Sequence, residues 1–94
     1  MGENEIIEKY QLSRRAYLNK QDIIKLFGLN SRKLENQVFS NLKVRIVDYL
    51  NTIGKKLDDL RYLPTDLVFK FADNQSLLKQ IEKDYSEMMK RKEK

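Results

Sequence analysis

The sequence predicts a small, mainly α domain built on two helices joined by a sharp turn, with minimal β-strand pairing and a C-terminal helix. Three observations predict it. Apolar residues recur in steps of three and four along most of the chain, which is helical spacing. The run from Asn19 to Val38, NKQDIIKLFGLNSRKLENQV, reads as helix, turn and helix. No glycine or proline interrupts the chain from Ser31 to Ile53, so the second of those helices is expected to be long. The 94 residues suit one domain, 1–94, with a modest core. Within it, 17–72 would hold the helix-turn-helix core, and 75–94 the last helix and a charged tail.

The elements follow in order. Glu3 to about Ser13 can form a short helix with Ile6, Ile7 and Tyr10 on one side. It either packs on the domain or frays. Arg14 and Arg15 lead into a short extended piece, Ala16-Tyr17-Leu18. Asn19 is a favourable N-cap, and Asp22 three residues on can reach back to it and meet the positive end of the helix dipole. Ile23, Ile24 and Phe27 would form the inward face. Gly28 ends the helix, because it can take the left-handed backbone that larger residues avoid. Leu29 would pack back onto Ile24, and Asn30 or Ser31 would cap the second helix. In that helix Leu34, Val38, Leu42, Ile46, Tyr49, Leu50 and Ile53 repeat at helical spacing. One helix of more than five turns is the main reading. The competing reading breaks near Ser40-Asn41 and lets Leu42, Val44 and Ile46 alternate in a strand.

Gly54 is the expected C-cap, and Lys55 and Lys56 complement the negative helix end. Lys55 to Leu63 reads as a loop whose last residues, Arg61-Tyr62-Leu63, can pair with Tyr17-Leu18 in a minimal wing. Pro64 would end that strand and Thr65 would cap the next helix. Asp66 to Ala72 would turn Leu67, Val68 and Phe71 inward. Asp73 and Asn74 break or bend the chain, with Asn74 or Ser76 available to cap a new helix. The last helix runs from about Gln75 to Lys90. Leu78, Ile81, Tyr85 and Met88 lie at coiled-coil-like spacing along it and are candidates for self-association. Packing of the same stripe onto its own domain is the equal alternative. The closing MKRKEK reads as a fraying charged tail.

Composition narrows the function. With no Cys, disulfides and thiolate metal sites are excluded. With no His, the commonest general base and zinc ligand are missing. The three glycines lie far apart, so there is no phosphate-cradling loop. Asp58-Asp59 and the Glu82/Asp84 pair read as solvated surface. No enzyme and no cofactor is expected. There is no long apolar run and no visible signal peptide, and Ile6 stands where a myristoylation motif places Ser or Thr. A cytoplasmic protein without a membrane partner is expected. Net charge is +5. Residues 13–63 carry eleven basic and five acidic side chains, so the excess lies on the segment that holds the helix-turn-helix. That favours a polyanionic partner, double-stranded DNA before others.

Candidate contacts follow from that reading. In a helix-turn-helix the early residues of the second helix meet base edges in the major groove. Here they are Ser31, Arg32, Lys33, Asn36 and Gln37. Arg pairs well with guanine, and Asn or Gln with adenine. Asn19, Lys20, Lys43, Lys55, Lys56 and Arg61 are candidate phosphate contacts, with Arg45 beside them. Against this stands the plain reading of each as a solvated surface charge. Tyr17, Tyr49 and Tyr62 can stack on unpaired bases, although their place in apolar runs favours core packing.

The run YLNKQDIIKLFGLNSRKL resembles the opening of excisionase-like and MerR-like winged helix-turn-helix proteins. Those show a short strand, an acid-containing first helix, a Gly-apolar-polar turn and a basic second helix in that order. The later RYLPTDLV resembles small helix-turn-helix proteins of phages and conjugative elements. The resemblance covers about Tyr17 to Ala72. Two departures are Gln37, where an apolar residue is usual, and Glu35, which sets a negative charge on the expected reading face. The resemblance implies a winged-helix-like fold and a role in recombination directionality, DNA architecture or transcription. It also implies action as a homodimer or cooperative array, with an integrase or another phage or host protein as a possible partner. The alternative function is a protein-interaction module, a phage-type adaptor or inhibitor using its helical surfaces.

Overall fold

A computed structural model describes residues 2–92; Met1, Glu93 and Lys94 lie outside the described residues. Its elements are α1 (Glu3–Ser13), β1 (Tyr17–Leu18), α2 (Lys20–Phe27), α3 (Arg32–Thr52), β2 (Leu63–Pro64), α4 (Thr65–Phe71) and α5 (Leu77–Lys92). The fold is mainly helical, with one two-stranded antiparallel sheet.

The start of α2 is a capping box. The Asn19 side chain accepts from the Asp22 N–H at 2.9 Å, and the Asp22 carboxylate accepts from the Asn19 N–H at 3.1 Å. Arg15 donates to the same carboxylate at 3.2 Å, which lets Asp22 sit buried. Gly28 ends α2 at φ 63°, and the Leu29 N–H returns to the Ile24 carbonyl at 3.1 Å. The buried residues of α2 are Ile23 and Leu26 beside Asp22, whereas Ile24 and Phe27 are only half-buried. The inward face is therefore turned from the expected one, because α2 packs against both α1 and α3.

Ser31 caps α3, its Oγ accepting from the Leu34 N–H at 3.2 Å. The helix then runs unbroken to Thr52, which rules out the strand reading near Val44. Leu42, Ile46 and Leu50 are buried, with Val38, Phe39 and Tyr49 packed against them. Leu34 was expected inward but is 43 % exposed; no element covers the first turn of α3 on that side. Ile53 at the other end is likewise exposed. Gly54 takes φ 73°, and the Lys55 N–H closes on the Leu50 carbonyl at 2.8 Å.

The minimal wing forms with a shifted register. Tyr17 faces Pro64 and Leu18 faces Leu63, so Pro64 is the last residue of the ladder and the strand ends there, as expected. Arg61 and Tyr62 stay outside β2. The Asp59 carboxylate accepts from the Arg61 N–H at 3.0 Å, and the Tyr62 N–H reaches the Asp59 carbonyl at 3.2 Å, which holds both in a turn. Leu18 and Leu63 are completely buried. Thr65 does not cap α4: it is the first helical residue, and its buried Oγ1 has no hydrogen-bond partner. Leu67, Val68 and Phe69 are buried in α4, with Phe71 half-buried.

Asn74 Oδ1 accepts from the Ser76 N–H at 3.1 Å just before α5. The described helix extends to Lys92, past the expected end at Lys90. It lies antiparallel to α1, as the Tyr10–Tyr85 ring stack (3.7 Å, 3°) and the Glu3–Lys92 ion pair (3.6 Å) show. Ile81 and Met88 are buried, Leu78 packs on the core and Tyr85 is stacked. The stripe offered for self-association is thus engaged within its own chain. An amphipathic helix pairs with the nearest apolar face, and here α1 supplies it through Ile6 and Leu12.

Candidate nucleic-acid interface

The geometry of α2, the Gly28–Ser31 turn and α3 sets what the basic side chains can reach. Successive residues turn by about 100° around a helix. Arg32, Lys33, Asn36 and Gln37 therefore share one side of the first two turns of α3, and all four are exposed. Among the described residues neither Arg32 nor Lys33 has an acidic partner. Glu35 is half-buried and lies roughly 60° around the helix from Arg32, its i,i+3 neighbour. Its negative charge therefore stays at the edge of the reading face, next to Arg32.

Other candidates are already occupied. The Ser31 hydroxyl caps α3, and the Asn19 side chain and N–H are both used by the capping box. Asn36 Oδ1 accepts from Lys20 Nζ, which ties the start of α2 to the reading turn. Lys43 is half-buried, with its ammonium 5.3 Å from the Phe39 ring centroid. Arg45 is a structural residue: it donates to the Phe71 carbonyl at 2.9 Å and pairs with Asp73 at 3.2 Å, closing the end of α4.

The loop after α3 carries Lys55 and Lys56 close to Asp58 and Asp59. Arg61 forms a close ion pair with Asp59 at 2.9 Å. This guanidinium holds the Asp59 carboxyl below the usual carboxylate range, and the carboxylate raises Arg61 in turn. Arg61 is therefore partly neutralised, whereas Lys55 and Lys56, like Arg32 and Lys33, form no ion pair among the described residues.

Tyr49 is a core residue, as expected; it packs against Phe71, and Lys70 sits over its ring at 4.3 Å. Tyr17 and Tyr62 are not: they are 56 % and 45 % exposed. The signal for this was present in the strand pair. Leu18 points inward and side chains alternate along a strand, so Tyr17 must point out, whereas Tyr62 is exposed in the turn before β2. It became readable only with the register.

No protein-family model, curated protein or solved structure matches the chain. No helix among the described residues is long and apolar enough to cross a membrane. Among the same residues no three acidic side chains converge as a metal ion would require.

Proposed function

We propose that the protein binds duplex DNA by inserting the first two turns of α3 into the major groove. One observation carries the reading: Arg32, Lys33, Asn36 and Gln37 stand together, exposed, on one side of a helix entered through a tight turn. Arg32 and Lys33 act as donors to guanine O6 and N7. Gln37 can donate and accept at adenine, and Asn36 donates while its oxygen stays with Lys20. Lys20 and the paired lysines Lys55 and Lys56 neutralise phosphate on either side. In this reading the protein works by binding alone, as a regulatory or architectural factor of the kind the excisionase-like resemblance implies.

The alternative is a module that binds protein through the long helix α3 and the Leu78–Met88 stripe; α1 already covers the stripe, which leaves that reading the exposed face of α3. A dimer or array on DNA would use other surfaces.

A gel-shift series tests the proposal. The double variant Arg32→Ala/Lys33→Ala is expected to keep the wild-type circular dichroism and melting curve, since both side chains are exposed. Its affinity for a selected duplex should fall by about 1–3 kcal/mol per lost base contact. Unchanged affinity would remove α3 as the reading helix.

A further inference from the structure

The outer face of the β1–β2 ladder has no part in the α3 reading surface. Leu18 and Leu63 point into the core from one side of this ladder. Tyr17 and Pro64 oppose each other on the other side. Tyr62 lies two residues before Pro64, in the turn that precedes β2. Both rings line one groove of about 540 Å3, floored by Leu50 and Leu57 and edged by Lys55 and Lys56. Tyr62 also borders a second groove of about 330 Å3, between Phe39, Lys20 and Arg61. The Arg61 guanidinium lies 6.0 Å from the Tyr62 ring centroid.

We propose that this face is a stacking platform for unpaired nucleotides, with Tyr17 and Tyr62 each taking one base. Exposed aromatic rings on a sheet face, flanked by cations, are how sheet-based modules hold single strands: every base offers a π-face, and the cations track the backbone. Charge agrees with such an occupant. Lys20, Lys55, Lys56 and Arg61 surround the rings, against Asp58 and Asp59, and Asp59 is already turned onto Arg61. A peptide strand fits less well. The ladder is two residues long, and Pro64 has no N–H to offer a third strand. The proposal does not depend on the duplex reading: the two surfaces share the phosphate contacts Lys20, Lys55 and Lys56, but Arg32 and Lys33 belong only to the duplex face and Tyr17 and Tyr62 only to this one.

Fluorescence anisotropy of the full chain with labelled oligo(dT) at low salt tests it. The wild type should bind. Tyr17→Ala and Tyr62→Ala should each weaken binding by about 5- to 150-fold, while the Phe variants retain it. Arg32→Ala/Lys33→Ala should leave oligo(dT) binding unchanged while lowering duplex affinity, so the two proposals fail separately. Ultraviolet cross-linking of the wild type to oligo(dT) should map to Tyr17 or Tyr62, which keeps the test independent of how the variants fold. No binding by the wild type, equal affinity in both Ala variants, or cross-links confined to other residues would overturn the platform. So would a concentration-dependent dimer that the Ala variants abolish while oligo(dT) affinity stays unchanged, which would give the face to a second copy of the chain.

Discussion

Asp22 shows how much one side chain can settle locally. It accepts from the Asn19 N–H, pairs with Arg15 and is buried while doing so. Asp22→Ala should lower stability by about 1–2 kcal/mol, the range for losing a helix cap, read as a fall in the urea midpoint at unchanged slope. Thr65 is the opposite case. Its hydroxyl is buried with no partner, and an unsatisfied buried polar group costs about 1–3 kcal/mol. Thr65→Val keeps the branched shape and removes the hydroxyl, so it should be neutral or stabilise by about 1 kcal/mol. A clear loss of stability in thermal melts would mean that the hydroxyl has a partner in solution. Gly28 and Gly54 were both legible as helix ends. Each takes positive φ, where a side chain is strained, although a Cβ would meet nothing within 4 Å at either position.

At the scale of elements, boundaries were the most legible feature and faces the least. α1 ends where its sequence indicated, and α3 keeps its full length because nothing in it breaks a helix. The stripe on α5 was equally visible, but its partner was not. An apolar stripe specifies that it will be covered, not by what, and α1 lies close enough to cover it before any second chain arrives. Met88 is almost completely buried in that pair. Met88→Ala should cost about 2–5 kcal/mol and loosen α1 together with α5, measurable as joint loss of amide protection in both helices. If the protein instead stayed equally stable and changed its oligomeric state, the stripe would belong to an interface between chains. The first turn of α3 is the counterpart: Leu34 had the spacing of a core residue and lies exposed because no element reaches it.

The whole molecule measures 49 × 30 × 20 Å. So thin a body has little interior, which is why Leu34, Val44, Leu60 and both wing tyrosines remain exposed despite their apolar character. Its charge acts at this scale too. Each phosphate neutralised steepens the salt dependence of duplex binding by a slope of about 0.9. Lys20→Ala should reduce that slope by about one and weaken binding to all sequences alike. Arg45→Gln should leave the slope unchanged, because Arg45 is bound to the Phe71 carbonyl and Asp73. A salt titration with random duplex measures both. Equal slopes for wild type and Lys20→Ala would take Lys20 off the backbone.

The sequence by itself determined the helical class, the capping box at Asn19 and Asp22, the glycine helix ends and the length of α3. All of these depend on residues within about one turn of each other. Only the tertiary structure decided which charges remain available. It closed Arg45 onto the end of α4 and paired α5 with α1. It also set the wing register, in which Leu18 and Leu63 are buried and Tyr17 is left exposed opposite Pro64. These outcomes depend on neighbours distant in the chain, and periodicity within one segment cannot name them.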